Sequence, residues 1–229
     1  MMHAWEQLTF LHWSYPVEHV QRLLPPGLEV EQRDGRAWVG LVPFAMRVWL
    51  PGTRSVPWVS QFWETNVRTY ARDVTGRSGV WFCSLDASRL PVVAVARASY
   101  RLPYFWSRMR LTRQADVLRY ECRRRWPAGG PTSRVEVAVG SPFDAAELTE
   151  LDHFLTARWT LFSAHGVAAR PRLRYANAEH PRWPLRRAQV LRCDDELLLA
   201  AGLPAPEGEP LAHYSEGVTV RIGPPRRVG

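Results

Sequence analysis

Lysine is missing from this chain. All 30 of its basic residues are arginine, set against 22 acidic residues for a formal net charge of +8 over 229 residues. Catalysis through a side-chain imine needs a primary amine of depressed pKa to condense with a carbonyl, so that chemistry is excluded everywhere except at the N-terminus. The arginines run from Arg22 to Arg227 among apolar neighbours, densest at Arg123-Arg124-Arg125. A basic chain ordinarily suggests nucleic acid, but this even spread is a compositional habit rather than a phosphate-binding stripe, and specific nucleic-acid binding is not expected. The triplet is expected to be solvated, its strand's apolar face being Leu118, Tyr120 and Cys122.

Cysteine is scarce as well. Cys83, Cys122 and Cys193 are odd in number and far apart, which suggests neither a disulfide framework nor a zinc site and fits a reducing cytoplasm. No run of 18 uncharged apolar residues escapes interruption by arginine or proline, and no charged-then-apolar leader is present, so neither a membrane span nor export is expected. Gly-x-Gly-x-x-Gly, Gly-Lys-Ser/Thr, His-Glu-x-x-His and Gly-x-Ser-x-Gly are all absent, which removes the usual nucleotide and hydrolase readings. A metal site from His12, His213 and Glu64 has no spacing signature, and no metal or cofactor is expected. No linker or repeat divides residues 1–229, so one domain is expected, and a homo-oligomer is compatible with it.

The chemistry that is present concentrates between Gln61 and Met109. Phe62–Arg72 and Val80–Asp86 are rich in aromatic and β-branched residues, and Asp73–Gly79 has turn chemistry, so a hairpin is predicted. By the two-residue period, Glu64, Asn66, Arg68 and Tyr70 share one face, and Trp63, Thr65, Val67 and Thr69 the other. A face carrying an acid, an amide, a guanidinium and a phenol either meets water or lines a polar cavity. A helix capped by Asp86 or Ser88 should follow through Tyr100, with Val92, Val95, Ala96 and Ser99 as its close-packing side.

Around this segment the chain reads as short strands. Trp5–Trp13 is a strand, Pro16–Leu24 a short helix, and Leu28–Glu31 with Ala37–Trp49 a hairpin in which Pro43 marks a bend or sheet edge. Leu50–Val59 is a loop containing Pro51, Gly52 and Pro57, and the proline-flanked Trp49 and Trp58 either cover a pocket mouth or cap the core. Tyr104–Gln114, Val117–Trp126 and Val135–Val139 are strands. Asp144 with Glu147 resembles a capping box opening a long helix over Ala145–Ala164, striped by Leu148, Leu151, Leu155, Trp159 and Phe162. Arg172–Ala176, Gln189–Cys193 and Gly217–Ile222 complete the strands, with a short helix over Asp194–Ala201. The class is α+β: an antiparallel barrel or strongly curved sheet with peripheral helices.

Phe10-Leu11-His12-Trp13, Leu23-Leu24-Pro25-Pro26-Gly27-Leu28, Asn66-Val67-Arg68-Thr69-Tyr70, Gly79-Val80-Trp81-Phe82-Cys83-Ser84-Leu85-Asp86-Ala87 and His213-Tyr214-Ser215-Glu216-Gly217-Val218 resemble the YqjF-like family of uncharacterised bacterial proteins. That family is similar in turn to the acetoacetate decarboxylase-like superfamily, which implies a cone-shaped antiparallel β-barrel with peripheral helices and an internal ligand cavity. The decarboxylases place a glutamate on a pocket strand, similar to Glu64, and a helix-borne arginine six positions before a proline, a separation kept by Arg97 and Pro103. The resemblance then sets Tyr104 where the decarboxylases have their imine-forming lysine, and Phe105 where they have its lysine neighbour.

Three classes of function remain. The first is a binder of a small carbonyl- or carboxylate-containing ligand, with Asn66, Arg68, Arg97 and His213 as ligand-binding candidates. The second is a lysine-independent enzyme of lyase or hydratase type, with Glu64 or Tyr104 moving a proton and Arg97 or Arg68 holding a carboxylate or oxyanion. The third is a nucleic-acid or protein-interaction module. Set against the first two, Glu64 with Arg68 or Arg97 reads equally as a buried structural ion pair, and Tyr104 as a wall aromatic. Borohydride added with acetoacetate is expected to trap no ketone on any side chain; reductive attachment anywhere but the N-terminus, located by peptide mass spectrometry, contradicts this.

Overall fold

Asp73 shows why the central hairpin turns where it does. Its Oδ1 accepts from the Thr75 backbone N–H (2.9 Å), the Thr75 hydroxyl (2.6 Å) and the Arg77 backbone N–H (3.0 Å), while Gly76 supplies a φ of +84°. The computed structural model describes residues 1–49, 52, 60–126, 128–166 and 171–228. In chain order the elements are β1 (Met2–Tyr15), α1 (Val17–Gln21), β2 (Leu28–Val30), β3 (Gln32–Arg33), β4 (Arg36–Trp49), β5 (Gln61–Asp73), β6 (Ser78–Ala87), α2 (Leu90–Ser99), β7 (Tyr104–Gln114), β8 (Val117–Arg124), β9 (Thr132–Pro142), α3 (Glu150–Thr156), β10 (Thr160–His165), β11 (Arg172–Glu179), β12 (Leu185–Asp195), α4 (Leu197–Ala200), β13 (Leu211–Ile222) and β14 (Arg226–Arg227).

All the strands belong to one sheet, which closes on itself because β5 pairs with β6 as well as β4, and β13 pairs with β11 as well as β1 and β12. One closed ring runs β6-β7-β8-β9-β12-β13-β1-β4-β5; another runs β6-β10-β11-β13-β1-β4-β5. The rings share β13, β1, β4, β5 and β6, so the two faces of these strands serve different interiors. On β5, Val67 and Ala71 join the apolar core of the first ring, whereas Phe62 and Tyr70 join that of the second.

Bulges make this curvature. Gln7 sits at a φ of +51° and breaks the β1–β4 ladder between Glu6↔Ala45 and Leu11↔Leu41. Pro43 falls opposite that interruption, so the bend expected there is present but the sheet edge is not, since β4 is flanked by β1 and β5. Gly217 pairs with Glu6 at a φ of +128°, where a Cβ would lie 2.1 Å from the Trp5 carbonyl oxygen.

The architecture is mostly β, and the helical share of the α+β expectation is the part that fails. Residues 145–164 hold no long helix: α3 covers Glu150–Thr156 and β10 follows at Thr160. Thr149 and Asp152 form the complete capping box, each side chain bonding the other's backbone N–H at 3.2 and 2.7 Å, and Ala157 (φ −88°, ψ 78°) ends the helix. The sheet is also not wholly antiparallel, because β6 runs parallel to both β7 and β10. Leu28–Val30 pairs with β5; the tight hairpin is β3–β4. Neither Asp86 nor Ser88 caps α2, since Ser88 Oγ accepts from Trp63 N and Asp86 is committed elsewhere. The expected loop over Leu50–Val59, Trp58 included, lies outside the described residues apart from Gly52.

Asp86 is committed to Arg124. Arg124 Nε and Nη2 donate to the two carboxylate oxygens at 2.9 and 2.7 Å, Ser107 Oγ donates to Oδ1 at 2.6 Å, and the guanidinium carbon lies 3.6 Å from the Phe105 ring centroid. Of the arginine triplet, Arg123 and Arg125 are exposed as expected, but Arg124 is only 6 % exposed. It continues the inward parity of Leu118, Tyr120 and Cys122. Removing one member of a buried pair strands the other charge, so Arg124→Met should cost about 3–5 kcal/mol of unfolding free energy, and Asp86→Leu with Arg124→Met should recover most of it. Urea unfolding reads both; a single variant as stable as the parent contradicts the pairing.

Candidate functional site

The second ring is not filled. It encloses a cavity of about 410 Å³ whose walls come from β1, β4, β5, β6, β10, β11 and α2, with the start of β7 and the ends of α3 and β13. Alternation on β5 aims Phe62, Glu64, Asn66 and Arg68 inward, and Val42, Phe44, Met46 and Val48 of β4 face them. On β6 the register slips between Val67↔Ser84 and Arg68↔Phe82, leaving Cys83 as the extra residue; Val80, Phe82 and Leu85 therefore all reach the cavity despite their mixed parity. The polar face of β5 is thus buried, with Glu64 2 %, Asn66 5 % and Arg68 7 % exposed.

Glu64 pairs with a phenol rather than a cation. Tyr104 Oη donates to its Oε2 at 2.9 Å. Burial pushes the carboxyl from an ordinary 4.5 up to about 8, against the opposing hydrogen bonds from Tyr104 and Asn66 and with help from the charge of Asp86. Glu64 is therefore a neutral acid at pH 7. Tyr104 is pushed well above its ordinary value by burial and by Glu64, so the phenol stays protonated. The start of β7 fixes this tyrosine: Leu85 N–H donates to the Pro103 carbonyl (3.1 Å), Tyr104 pairs in register with Leu85, and Arg97 Nη1 donates to the Tyr104 carbonyl (2.9 Å).

Arg68 has no carboxylate partner among the described residues. Nη2 donates to the Leu155 carbonyl at 3.3 Å, the guanidinium carbon lies 5.3 Å from the Phe10 ring centroid, and Nε has no hydrogen-bond partner. Below it, the Tyr70 phenol gives its proton to the Leu155 carbonyl (2.5 Å) and so accepts from His12 Nε2–H at 2.7 Å. His12 stays neutral because burial, then the charge of Arg68, depress its pKa far below the usual range. Only glycine at position 40 leaves room for that imidazole, since a Cβ would stand 2.9 Å from Nε2. Arg158, also on the cavity wall, lies 3.0 Å from Glu31 Oε2.

Of the residues singled out in the sequence, Glu64, Asn66, Arg68 and Tyr104 meet on this cavity, whereas Arg97 and His213 do not line it. Arg97 faces an outer cleft with Arg101 and His165. His213 is buried on β13, its Nε2 2.9 Å from Oδ1 of Asp152 on α3. Neither Arg68 nor Arg97 forms an ion pair with Glu64 among the described residues, so the structural ion-pair reading is not what this geometry contains. Among the described residues no three His, Cys, Asp or Glu side chains converge as a metal site. Arg158 was missed, since it falls inside the stretch expected as helix, and nothing in its spacing signals a cavity position.

This sheet has the fold of the acetoacetate decarboxylase-like proteins. The chain superposes on the enduracididine biosynthesis enzyme MppR complexed with pyruvate (TM-score 0.68, 14 % identity, 100 % of this chain and 90 % of that one). It also superposes on an acetoacetate decarboxylase from Legionella pneumophila (0.67, 13 %, 100 % and 88 %) and on an acetoacetate decarboxylase-like enzyme from Sphingomonas wittichii RW1 (0.64, 16 %, 99 % and 92 %). Residues 2–219 match the family known as domain of unknown function 2071, described as an uncharacterized conserved protein, and the chain belongs to that family. The uncharacterized protein YqjF of Bacillus subtilis is 30 % identical over 234 residues, covering 99 % of this chain and 92 % of YqjF.

A carboxyl whose pKa is raised on folding adds stability that is fully present below its unfolded value and is lost as pH rises through its folded value. The stability margin of the parent over Glu64→Gln should therefore fall between about pH 4.5 and 8, by at most ~1.4 kcal/mol per pH unit. Urea unfolding of both proteins at stepped pH measures it; a margin that is flat or rises over this window contradicts a neutral Glu64.

Proposed function

We propose that the chain is a single cytoplasmic domain, a cone-shaped β-barrel with peripheral helices, that binds a small carboxylate-bearing ligand inside its second ring. Arg68 holds the carboxylate, Asn66 offers its amide beside it, and the protonated Glu64, held by the Tyr104 phenol, donates a hydrogen bond to a carbonyl or hydroxyl nearer the mouth. The supporting observation is Arg68 itself. A guanidinium that is 7 % exposed and has no carboxylate partner among the described residues carries an uncompensated desolvation cost, and an anionic ligand supplies the missing counter-charge. MppR, complexed with pyruvate on the same fold, is consistent with a carboxylate in this interior. No lysine stands by, so the ligand is held without an imine.

A second reading is favoured by one observation, the carboxyl of Glu64 at about 8, close to a working pH. There Glu64 exchanges a proton with the ligand and Tyr104 steadies the developing oxygen charge, as in a lysine-independent lyase or hydratase. Proton NMR in heavy water separates the two. Enzyme-accelerated exchange at the carbon between the two carbonyls of acetoacetate, reduced roughly 10²–10⁴-fold in Glu64→Gln, supports turnover; no acceleration leaves binding alone.

The binding claim is read by calorimetry with hexanoate. Arg68→Met should weaken it by the 1.5–3 kcal/mol of a charged hydrogen bond, about 10- to 100-fold. Equal affinity for the parent and the variant would overturn the assignment.

A further inference from the structure

The proposed carboxylate site leaves the body of the ligand to be defined, and three features of the cavity define it. Its polar groups are few and graded by depth. Arg68 lies four residues along β5 from Glu64, roughly 13 Å at ~3.3 Å per residue, and the Gln61 end of the strand leads to the exposed rim formed by Met1 and α2. Between the rim and Glu64 the walls are mostly apolar, with Phe44, Met46, Phe62, Val92, Ala96 and Leu102, and the polar exceptions there are His3 and Ser60. A cation at the floor and a hydrocarbon neck fit a ligand with one charged end.

Helix α2 is the second feature. Of its ten residues only Val93 is buried, although a helix this short is marginal without packing. The side of α2 expected to pack closely, Val92, Val95, Ala96 and Ser99, also lines the cavity; Val92 and Ala96 pack only partly against the core, and Val95 is 66 % exposed. An apolar body in the neck gives this side of the helix the contacts it lacks. The third feature is size. At the ~30 Å³ that one water occupies in the liquid, 410 Å³ has room for about a dozen non-hydrogen atoms, roughly twice what a three-carbon keto acid fills.

We infer that the ligand is an amphiphilic monocarboxylate, its carboxylate on Arg68 and an unbranched aliphatic or aromatic body running past Glu64 and Tyr104 to α2. This rests on the carboxylate site proposed above. The test is calorimetry with butanoate, hexanoate, octanoate and decanoate, each below its micellar concentration, with pyruvate and decan-1-ol as controls and hydrogen exchange across residues 90–100 as a second readout. Affinity should climb with chain length by up to about fourfold per methylene, the equivalent of ~0.8 kcal/mol. Decanoate should bind more tightly than decan-1-ol and should slow exchange in α2. If pyruvate and butanoate bind as tightly as decanoate and depend on Arg68, the carboxylate site stands and this inference falls. If decan-1-ol matches decanoate and Arg68→Met changes neither, the carboxylate site falls and takes this inference with it.

Discussion

β5 is hydrogen-bonded on both sides, to β4 along Val39–Arg47 and to β6 along Ser78–Ala87, and these two ladders close both rings of the sheet. Between Phe62 and Ala71, each side chain on β5 then turns toward one interior or the other, while Gln61 and Arg72 stay exposed. Val67 and Ala71 go to a filled interior with Leu118, Val135 and Val137; Glu64, Asn66 and Arg68 go to the one that keeps a cavity. The polar groups cannot turn to water without breaking the alternation, so their ionisation follows from burial. Glu64 answers by holding its proton, and Arg68 brings a guanidinium without a carboxylate partner among the described residues to the same wall.

The two interiors handle buried charge in opposite ways. In the filled ring, Asp86 and Arg124 meet with bidentate geometry and Ser107 occupies a remaining acceptor, so the charge is locally closed. In the cavity ring, a neutral acid and an uncompensated cation stand on one wall with only Asn66 between them. The first arrangement is what a core requires. The second leaves donors facing space, which costs stability unless something binds there.

Much of this was legible because the strands obey a strict period. The alternation of Glu64, Asn66, Arg68 and Tyr70 put them on one face, and the Asp73–Gly79 turn chemistry set the hairpin. The same period, carried from Leu118 through Tyr120 and Cys122, points at Arg124 as inward, and composition alone misled by grouping it with Arg123 and Arg125. The stretch 145–164 misled for a different reason. Leu155 and Phe162 are both fully buried, one from a helix and one from a strand, so their spacing matched a helical stripe that the chain does not form. Arg97 and His213 stand in stretches that resemble the family; their bonds to the Tyr104 carbonyl and to Asp152 are tertiary contacts that no local pattern encodes.

Functional groups held against their own solvation cost stability, and removing them commonly returns it. On the proposed reading Arg68 is such a group. The most direct test is the unfolding free energy of ligand-free Arg68→Met against the parent, measured in urea in a buffer free of carboxylates. The variant should be as stable as the parent or more so, because a desolvated charge without a protein counter-ion is replaced by apolar volume. A loss of about 3 kcal/mol or more, the signature of breaking a satisfied buried pair, would show that the protein itself compensates Arg68 and would contradict the account.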